Sequence, residues 1–232
     1  GVAYIQVPTT LLSMVESSVG GKTAVDLDSG KNQAGCFYQP SLVLCDPALL
    51  ASLPEAEYRA GCAEIIKTAV LFSPELFRSL RETPVREQFE SVIAACVGMK
   101  RDVVENDEFD RGQRALLNLG HTIGHAVEAC SDFTILHGEG VAIGMAAITR
   151  AAMEKGICDP ALLPQLLDIL QVYGLPTEVP YPLADIQRAA EADKKRSGSV
   201  TNFVVPEALG RCRVEPIPAD EVAGWLKAGG IR

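Results

Sequence analysis

The chain lacks an excess of positive charge, and this excludes two classes of partner. Its 232 residues include 21 Lys and Arg against 30 Asp and Glu, which gives a formal net charge of −9 at pH 7. A nucleic-acid-binding protein needs a basic face that releases the counterions of the phosphate backbone. A protein held on an anionic membrane needs a polybasic surface. We therefore expect neither nucleic acid nor a membrane as a partner.

The chain also lacks the signals of membrane insertion, export and disulfide bonding. No apolar run approaches the roughly 18 residues that cross a bilayer, and no secretory signal opens the chain. The seven cysteines are odd in number and include no C-x-x-C pair, whereas a zinc ribbon or a disulfide scaffold would cluster them. We interpret them as small buried residues in a reducing compartment, and we expect a cytoplasmic location.

What is present is an ordinary globular composition, with 47% hydrophobic and 22% charged residues. Residues 1–46 mix signals: strands are predicted at 2–7 and 41–45, a short helical stretch at 11–15, and a Gly- and Lys-rich loop between them. The pattern then becomes helical, with a hairpin predicted at 200–205 and 211–215. The predicted helices span residues 54–70, 74–82, 86–105, 113–130, 138–155, 160–173, 183–193 and 218–227. The opening strand needs a neighbour, and we expect an upstream part of the protein to supply it.

All three histidines fall between positions 121 and 137. His121 and His125 are four residues apart, which places both imidazoles on one helix face, and His137 begins the next helical stretch. Imidazoles with one carboxylate and an open position are typical of catalytic zinc; the alternative is that these side chains satisfy hydrogen bonds in a helical core. The spacing does not show which carboxylate would complete the site. The local candidates are Glu64, Glu128 and Glu139.

A glycine-rich segment at residues 17–23, with the sequence SSVGGKT, is similar to a P-loop but fails its pattern. Glu16 stands where the G-x-x-x-x-G-K-[ST] pattern requires its first glycine, so we do not expect a nucleotide triphosphatase. The segment still presents Lys22, and Gly-Lys-Asn follows at 30–32. Such a loop suits an anionic ligand, although solvated turn residues would look the same. The sequence offers further hydrogen-bond donors for an anion. They would bind it if they converge on one pocket, and the alternative is that they lie on solvated helix faces. These donors are Lys67, Lys100, Arg114, Asn118 and the run DKKR at 193–196.

Several sequence blocks stand in the order of a known family. They are PTTLL at 8–12, SSVGGKT at 17–23, GKN at 30–32, AEIIK at 63–67, LLNLGHTIGHA at 116–126, HGE at 137–139 and DKK at 193–195. With these blocks the chain resembles the 3-dehydroquinate synthases, a family of sugar-phosphate cyclases, and GHTIGHA with its downstream HGE is the most specific part. The resemblance covers the later part of that family's chain, so we expect its amino-terminal nucleotide-binding part to be absent here.

The resemblance implies a mainly α fold in two parts. Residues 1–46 would be the tail end of an α/β NAD-binding domain, and residues 47–232 a multihelical metal- and substrate-binding domain with a small β-hairpin. It also implies a homodimer. The implied metal ligands are Glu64, His121 and His137, with Zn²⁺ or Co²⁺ as the ion. The implied NAD contacts are Thr9, Thr10, Lys22, Lys31, Leu49, Leu50, Ala51 and Ser52. The implied substrate-pocket residues are Asn32, Lys67, Lys100, Arg114, Asn118, His125 and one of Lys194 and Lys195, with Lys195 preferred.

Two acidic positions depart from the family pattern. Glu16 stands where the family usually has Asp, and Asp110 where it usually has Glu. Both substitutions keep the charge and change the reach of the side chain by one methylene. We therefore interpret them as tolerated variation in the pocket.

The implied reaction converts 3-deoxy-D-arabino-heptulosonate 7-phosphate to 3-dehydroquinate in the shikimate pathway. An alcohol is oxidised by NAD, phosphate is eliminated, the ketone is reduced again, and an aldol step closes the ring. His125 would then be a donor or proton relay. Three alternatives stay open: another cyclase of the 2-deoxy-scyllo-inosose or valiolone synthase type, a metal-dependent polyol dehydrogenase, and a metal-binding helical fragment without activity.

Overall fold

The computed structural model describes residues 2–27, 30–194 and 200–232, and it does not describe the side chains of residues 26, 30–33 and 191–194. The fold is mainly helical. The α-helices are α1 (Glu55–Phe72), α2 (Pro74–Glu82), α3 (Phe89–Asn106), α4 (His121–Cys130), α5 (His137–Glu154), α6 (Leu162–Val172), α7 (Leu183–Lys194) and α8 (Val222–Ala228). Short 3₁₀ helices span Pro47–Ser52, Val85–Glu87 and Gln113–Asn118, and a π-helical turn spans Ser13–Ser17. Within the described residues, no helix combines the length and the apolar character needed to span a membrane.

Helix α1 is the central element of the core. Every residue from Ala60 to Leu71 is buried, because α2, α3, α5 and a late strand, β6 (Arg211–Pro218), all pack around this helix. A helix that is buried on all sides carries few polar side chains, so those it does carry need a partner. Glu64 and Lys67 both lie in this buried stretch, which places the first candidate site residues at the centre of the fold.

Three two-stranded sheets complete the structure. Strand β1 (Ile5–Gln6) pairs in parallel with β4 (Leu42–Val43). One neighbour of the opening strand is therefore a later strand, and the upstream neighbour that the sequence favours stays a prediction. Strands β5 (Val200–Ala208) and β6 (Arg211–Pro218) form the predicted terminal hairpin.

The predicted Gly- and Lys-rich loop is instead a second hairpin. Strand β2 (Lys22–Leu27) pairs antiparallel with β3 (Gly30–Phe37). The loop prediction was wrong because glycine was read only as a turn residue. In this hairpin Gly35 lies opposite Ala24, and a Cβ on Gly35 would come within 2.0 Å of the carbonyl oxygen of Thr23. The glycine thus permits close pairing of the two strands.

The predicted helix at 113–130 is divided in the structure. A 3₁₀ helix ends at Asn118 and α4 begins at His121, because Gly120 between them has a φ of +79°. This left-handed conformation favours glycine and interrupts a right-handed helix. The break makes His121 the first residue of α4.

Helices α4 and α5 approach each other closely through glycines. A Cβ on Gly144 would lie 1.9 Å from the carbonyl oxygen of Gly120, and a Cβ on Gly124 would lie 2.7 Å from that of Gly140. One turn earlier, Gly138 packs on α1, where a Cβ would come within 2.1 Å of the Ala60 oxygen. These contacts set the spacing between the three helices that carry Glu64, His121 and His137.

We predict that Gly144→Ala destabilises the protein by about 3 kcal/mol or more, since an added methyl group overpacks the crossing of α4 and α5. The free energy of unfolding in urea measures this. The matched control is Gly98→Ala in α3, where a Cβ meets no atom within 4 Å. That substitution should add up to about 1 kcal/mol of helix stability. Equal stability of the two variants would contradict the glycine packing.

Candidate metal centre

Three helices bring four of the predicted site residues together. Glu64 lies in the middle of α1, His121 and His125 lie one turn apart at the start of α4, and His137 is the first residue of α5. One ring nitrogen from each imidazole lies within 4.8 Å of those of the other two. The ring centroids are separated by 5.1 to 5.6 Å. The prediction that His121 and His125 share one helix face is thus confirmed, and His137 joins them from the next helix.

The carboxylate of Glu64 lies between two of these imidazoles. Its Oε1 atom is 3.6 Å from Nε2 of His121 and 3.5 Å from Nε2 of His137. Ligand atoms about 2.0–2.2 Å from a tetrahedral zinc ion lie about 3.4 Å from one another. Glu64 Oε1 therefore lies from each Nε2 atom at nearly the distance that separates two ligands of one ion, and the ring nitrogens lie within 4.8 Å of one another.

Glu64 is fully buried and relies on charge for its stabilisation. Neither of its oxygens accepts a hydrogen bond among the described residues, but Oε2 lies 2.5 Å from Nζ of the equally buried Lys67. Burial alone would raise the pKa of this carboxyl, yet Lys67 and the imidazoles of His137 and His121 outweigh it and hold that pKa well below its usual range. Glu64 is therefore an anion with its Oε1 directed at two imidazoles.

Backbone and side-chain acceptors orient the two imidazoles nearest Glu64. His121 Nδ1 lies 3.1 Å from the carbonyl oxygen of Leu119, which leaves Nε2 facing Glu64. Burial, followed by the charge of Lys67, lowers the pKa of His121 to about 3, so its imidazole is neutral, as metal binding requires. For His137, burial is outweighed by the carboxylates of Glu128 and Glu64, which raise its pKa to about 9 without a metal, so a metal ion would displace the proton on Nε2 when it binds.

The structure separates the three carboxylates that the sequence leaves open. Glu64 faces two Nε2 atoms. Glu128 is buried and its Oε1 lies 2.7 Å from Nδ1 of His137, on the far side of that ring. Glu139 accepts a hydrogen bond from the backbone N–H of Leu136 at 3.3 Å and so caps the start of α5. The contact of Glu128 could not be read from spacing, because it depends on how α4 and α5 cross.

A second, partly buried ion pair lies within electrostatic reach of the first. Lys100 of α3 pairs with the carboxylate of Glu16 and donates a hydrogen bond of 2.5 Å to the Glu16 carbonyl oxygen. Burial lowers the pKa of Lys100, although Glu16 opposes this. Burial also acts to raise the pKa of Glu16, but Lys100 and then Lys67 lower it further than burial raises it. Glu16, where the family pattern has Asp, thus holds a lysine beside the Glu64 centre.

Arg114 joins the loop before α4 to the glycine-rich segment. Its guanidinium is buried and donates to the carbonyl oxygens of Glu108 at 2.5 Å and Gly20 at 2.7 Å. Next to it, Lys22 forms an ion pair with Asp110, the second position that departs from the family pattern. A predicted substrate residue and a predicted NAD residue thus both take part in contacts between residues 108–114 and the glycine-rich segment.

The structure gives fewer contacts for the remaining predicted residues. Thr10 is half-buried, and its Oγ1 lies 2.7 Å from Oγ of Ser13 at the start of the π-helical turn. Thr9, Asn118 and three of the four residues in 49–52 are exposed, whereas Leu50 packs in the core. Lys195 and the side chains of Lys31, Asn32 and Lys194 lie outside the described part of the chain.

Two family models match the chain over adjoining segments. The model described as 3-dehydroquinate synthase N-terminal matches residues 1–60, and the model described as 3-dehydroquinate synthase C-terminal matches residues 61–196. The chain belongs to the 3-dehydroquinate synthase family. This confirms the resemblance drawn from the sequence blocks, while a domain boundary after residue 46 stays a prediction.

Relatives and a solved structure agree with this membership. Curated 3-dehydroquinate synthases from Lactiplantibacillus plantarum and Clostridium botulinum are 44% and 45% identical over 97% and 91% of this chain. The matches cover 64% and 62% of those relatives, so the chain spans less than two thirds of their length. A 2-epi-5-epi-valiolone synthase from Streptomyces hygroscopicus, solved with NAD⁺ and Zn²⁺ bound, has a TM-score of 0.87 and 28% identity over 98% of this chain and 66% of that chain.

We predict that Lys67→Met lowers the free energy of unfolding of the metal-free protein by about 3 kcal/mol or more, because it leaves the buried Glu64 carboxylate without its lysine. Urea denaturation measures the change. The control is Arg81→Met, which removes an exposed pair with Asp168 and should cost less than about 1 kcal/mol. Similar losses in the two variants would show that the Glu64–Lys67 pair is not a central stabilising contact.

Proposed function

We propose that the full-length gene product is a 3-dehydroquinate synthase. It would cyclise 3-deoxy-D-arabino-heptulosonate 7-phosphate to 3-dehydroquinate and release phosphate, with NAD and zinc as cofactors. The observation that carries this is the position of the Glu64 carboxylate between two imidazole Nε2 atoms, beside two buried lysines. Membership of the family favours this reaction for a site of this geometry, and curated relatives carry this name.

The proposed metal ligands are Glu64, His121 and His137. The donor set fits a divalent zinc or cobalt ion, since it offers one carboxylate and two imidazole nitrogens. The fit is supported by Glu64 Oε1, a buried anionic oxygen that accepts no hydrogen bond among the described residues. The valiolone synthase with a similar fold was solved with Zn²⁺ bound.

The reaction needs a polarised alcohol and a proton path. When bound, zinc acts as a Lewis acid toward an alcohol, and NAD⁺ accepts and later returns a hydride. His125 lies one helical turn from His121, and its ring centroid is 5.3 Å from that of His121 and 5.6 Å from that of His137. We assign it as the donor or proton relay for the bound alcohol.

Cationic residues at the site would hold the anionic substrate. Lys67 and Lys100 are buried cations near the imidazoles, and both can attract a carboxylate or a phosphate. We propose that Arg114 and the exposed Asn118 extend this anion-binding wall. Because two guanidinium nitrogens of Arg114 already donate to backbone carbonyls, its remaining N–H groups would meet the substrate. Lys195 and Asn32 complete the proposed set.

The proposed NAD contacts lie in the first 52 residues, and we propose that residues 1–46 are the tail end of an α/β nucleotide-binding domain. Lys22, Thr9, Leu49, Ala51 and Ser52 have exposed side chains and can meet a ligand directly. Leu50 is buried, so it would contribute packing or a backbone contact. Thr10 and Lys31 complete the set. The homodimer and the cytoplasmic location are likewise proposals from the family resemblance.

A second candidate is another sugar-phosphate cyclase. It is favoured by the TM-score of 0.87 with the valiolone synthase, and the same zinc and NAD apparatus would serve it. The identity of 44% with a curated 3-dehydroquinate synthase, against 28% with the valiolone synthase, favours the first candidate.

We predict that His137→Ala and Glu64→Gln abolish zinc binding and turnover, because each removes one of three ligands. His125→Ala should retain its zinc and lose turnover at least about 100-fold, as expected for a proton-transfer group. Elemental analysis of the purified variants measures the zinc content. Full zinc in the His137 variant, or loss of zinc in the His125 variant alone, would overturn the ligand assignment in favour of another set.

We predict turnover of the heptulosonate phosphate by the full-length gene product, with phosphate release and no net change in NADH absorbance, since the cofactor is recycled. Sedoheptulose 7-phosphate and glucose 6-phosphate are the competing substrates. Preference for either one would establish the second candidate function. Steady accumulation of NADH would instead indicate a polyol dehydrogenase, and an inert, zinc-binding protein would indicate a fragment without activity.

A further inference from the structure

We propose that Glu128 is a positioning residue, which fixes the imidazole of His137 so that its Nε2 atom faces the metal. This inference rests on the proposed metal site. The contact that carries it is the 2.7 Å distance between Glu128 Oε1 and His137 Nδ1. The opposite nitrogen of the same ring lies 3.5 Å from Glu64 Oε1. One imidazole thus spans two carboxylates, and only one of them belongs to the ligand set.

His137 needs such a support more than His121 does. The side chain of His137 is 34% exposed, against 13% for His121. His121 is oriented by a backbone carbonyl, that of Leu119, which cannot rotate away. For His137, the corresponding acceptor is the side chain of Glu128.

Glu128 is itself held rigidly. Its side chain is buried, and its carbonyl oxygen accepts hydrogen bonds from the Ser131 hydroxyl at 2.7 Å and from the N–H of Phe133 at 2.9 Å. Gly140 makes room for the carboxylate, because a Cβ there would lie 3.3 Å from Cγ and 3.4 Å from Oε1 of Glu128. The glycine on α5 and the acid on α4 therefore form one fitted contact.

A carboxylate on the outer nitrogen of a ligating imidazole does two things. It fixes which nitrogen carries the proton, so that Nε2 presents its lone pair, and it makes the ring a better donor to the metal. Removal of such a partner commonly weakens metal binding by about 10- to 100-fold. The same distance also excludes Glu128 as a ligand in this arrangement, since it meets His137 on the side of the ring that faces away from Glu64.

The test measures Co²⁺ affinity of the 232-residue chain by competition with a chelator, together with the visible absorption spectrum of the bound ion. Glu128→Ala should bind Co²⁺ about 10- to 100-fold more weakly and shift the spectrum, and Glu128→Gln should lose less, since its amide oxygen can still accept from Nδ1. The matched control is Glu139→Gln, which removes a carboxylate from the first turn of α5 that caps the helix and should leave affinity and spectrum unchanged.

Circular dichroism of the metal-free variants separates the positioning role from a folding defect. If Glu128→Ala is unfolded, the Co²⁺ affinity and spectrum of the isosteric Glu128→Gln variant test the positioning role instead. Wild-type affinity and spectrum in every folded Glu128 variant would overturn the inference. His137→Ala is measured in parallel: if it keeps full affinity, the proposed metal site itself is wrong, whereas loss of affinity there without loss in the Glu128 variants defeats only the role of Glu128.

Discussion

The site depends on a single buried anion, the carboxylate of Glu64. A carboxylate without water is costly unless opposite charge lies close to it. Here Lys67 forms an ion pair with Oε2 of Glu64, and two imidazoles face Oε1. A metal ion bound next to the imidazoles would add positive charge at Glu64 Oε1, which accepts no hydrogen bond among the described residues. The same arrangement therefore meets the electrostatic need of the core and prepares a binding position for a cation.

The arrangement also requires an unusually close approach of helices. Glycines at the crossing of α4 and α5 and at the contact of α5 with α1 let backbones touch where any side chain would collide. This closeness explains why the conspicuous GHTIGHA and HGE blocks contain glycine as well as histidine. The histidines supply the donor atoms, and the glycines bring the helices that carry them within range of Glu64.

Around this centre, the charged residues form a connected set rather than separate surface groups. Glu16 holds Lys100 close enough to influence Lys67 and Glu64, while Arg114 and the Lys22–Asp110 pair join the loop before α4 to the glycine-rich segment. Cations arranged in this way suit an anionic ligand.

The sequence by itself determined the family, most helices, the terminal hairpin and the histidine cluster, because period, capping residues and i, i+4 spacing are local properties. The spacing of residues did not determine the β2–β3 hairpin, the break at Gly120 or the different contacts that Glu64, Glu128 and Glu139 make. Those depend on which backbones lie next to each other, and a glycine or a carboxylate looks the same in sequence whatever it faces. Only the tertiary structure placed Glu64 between two imidazoles and Glu128 behind one of them, since residues from three helices must meet before a distance exists.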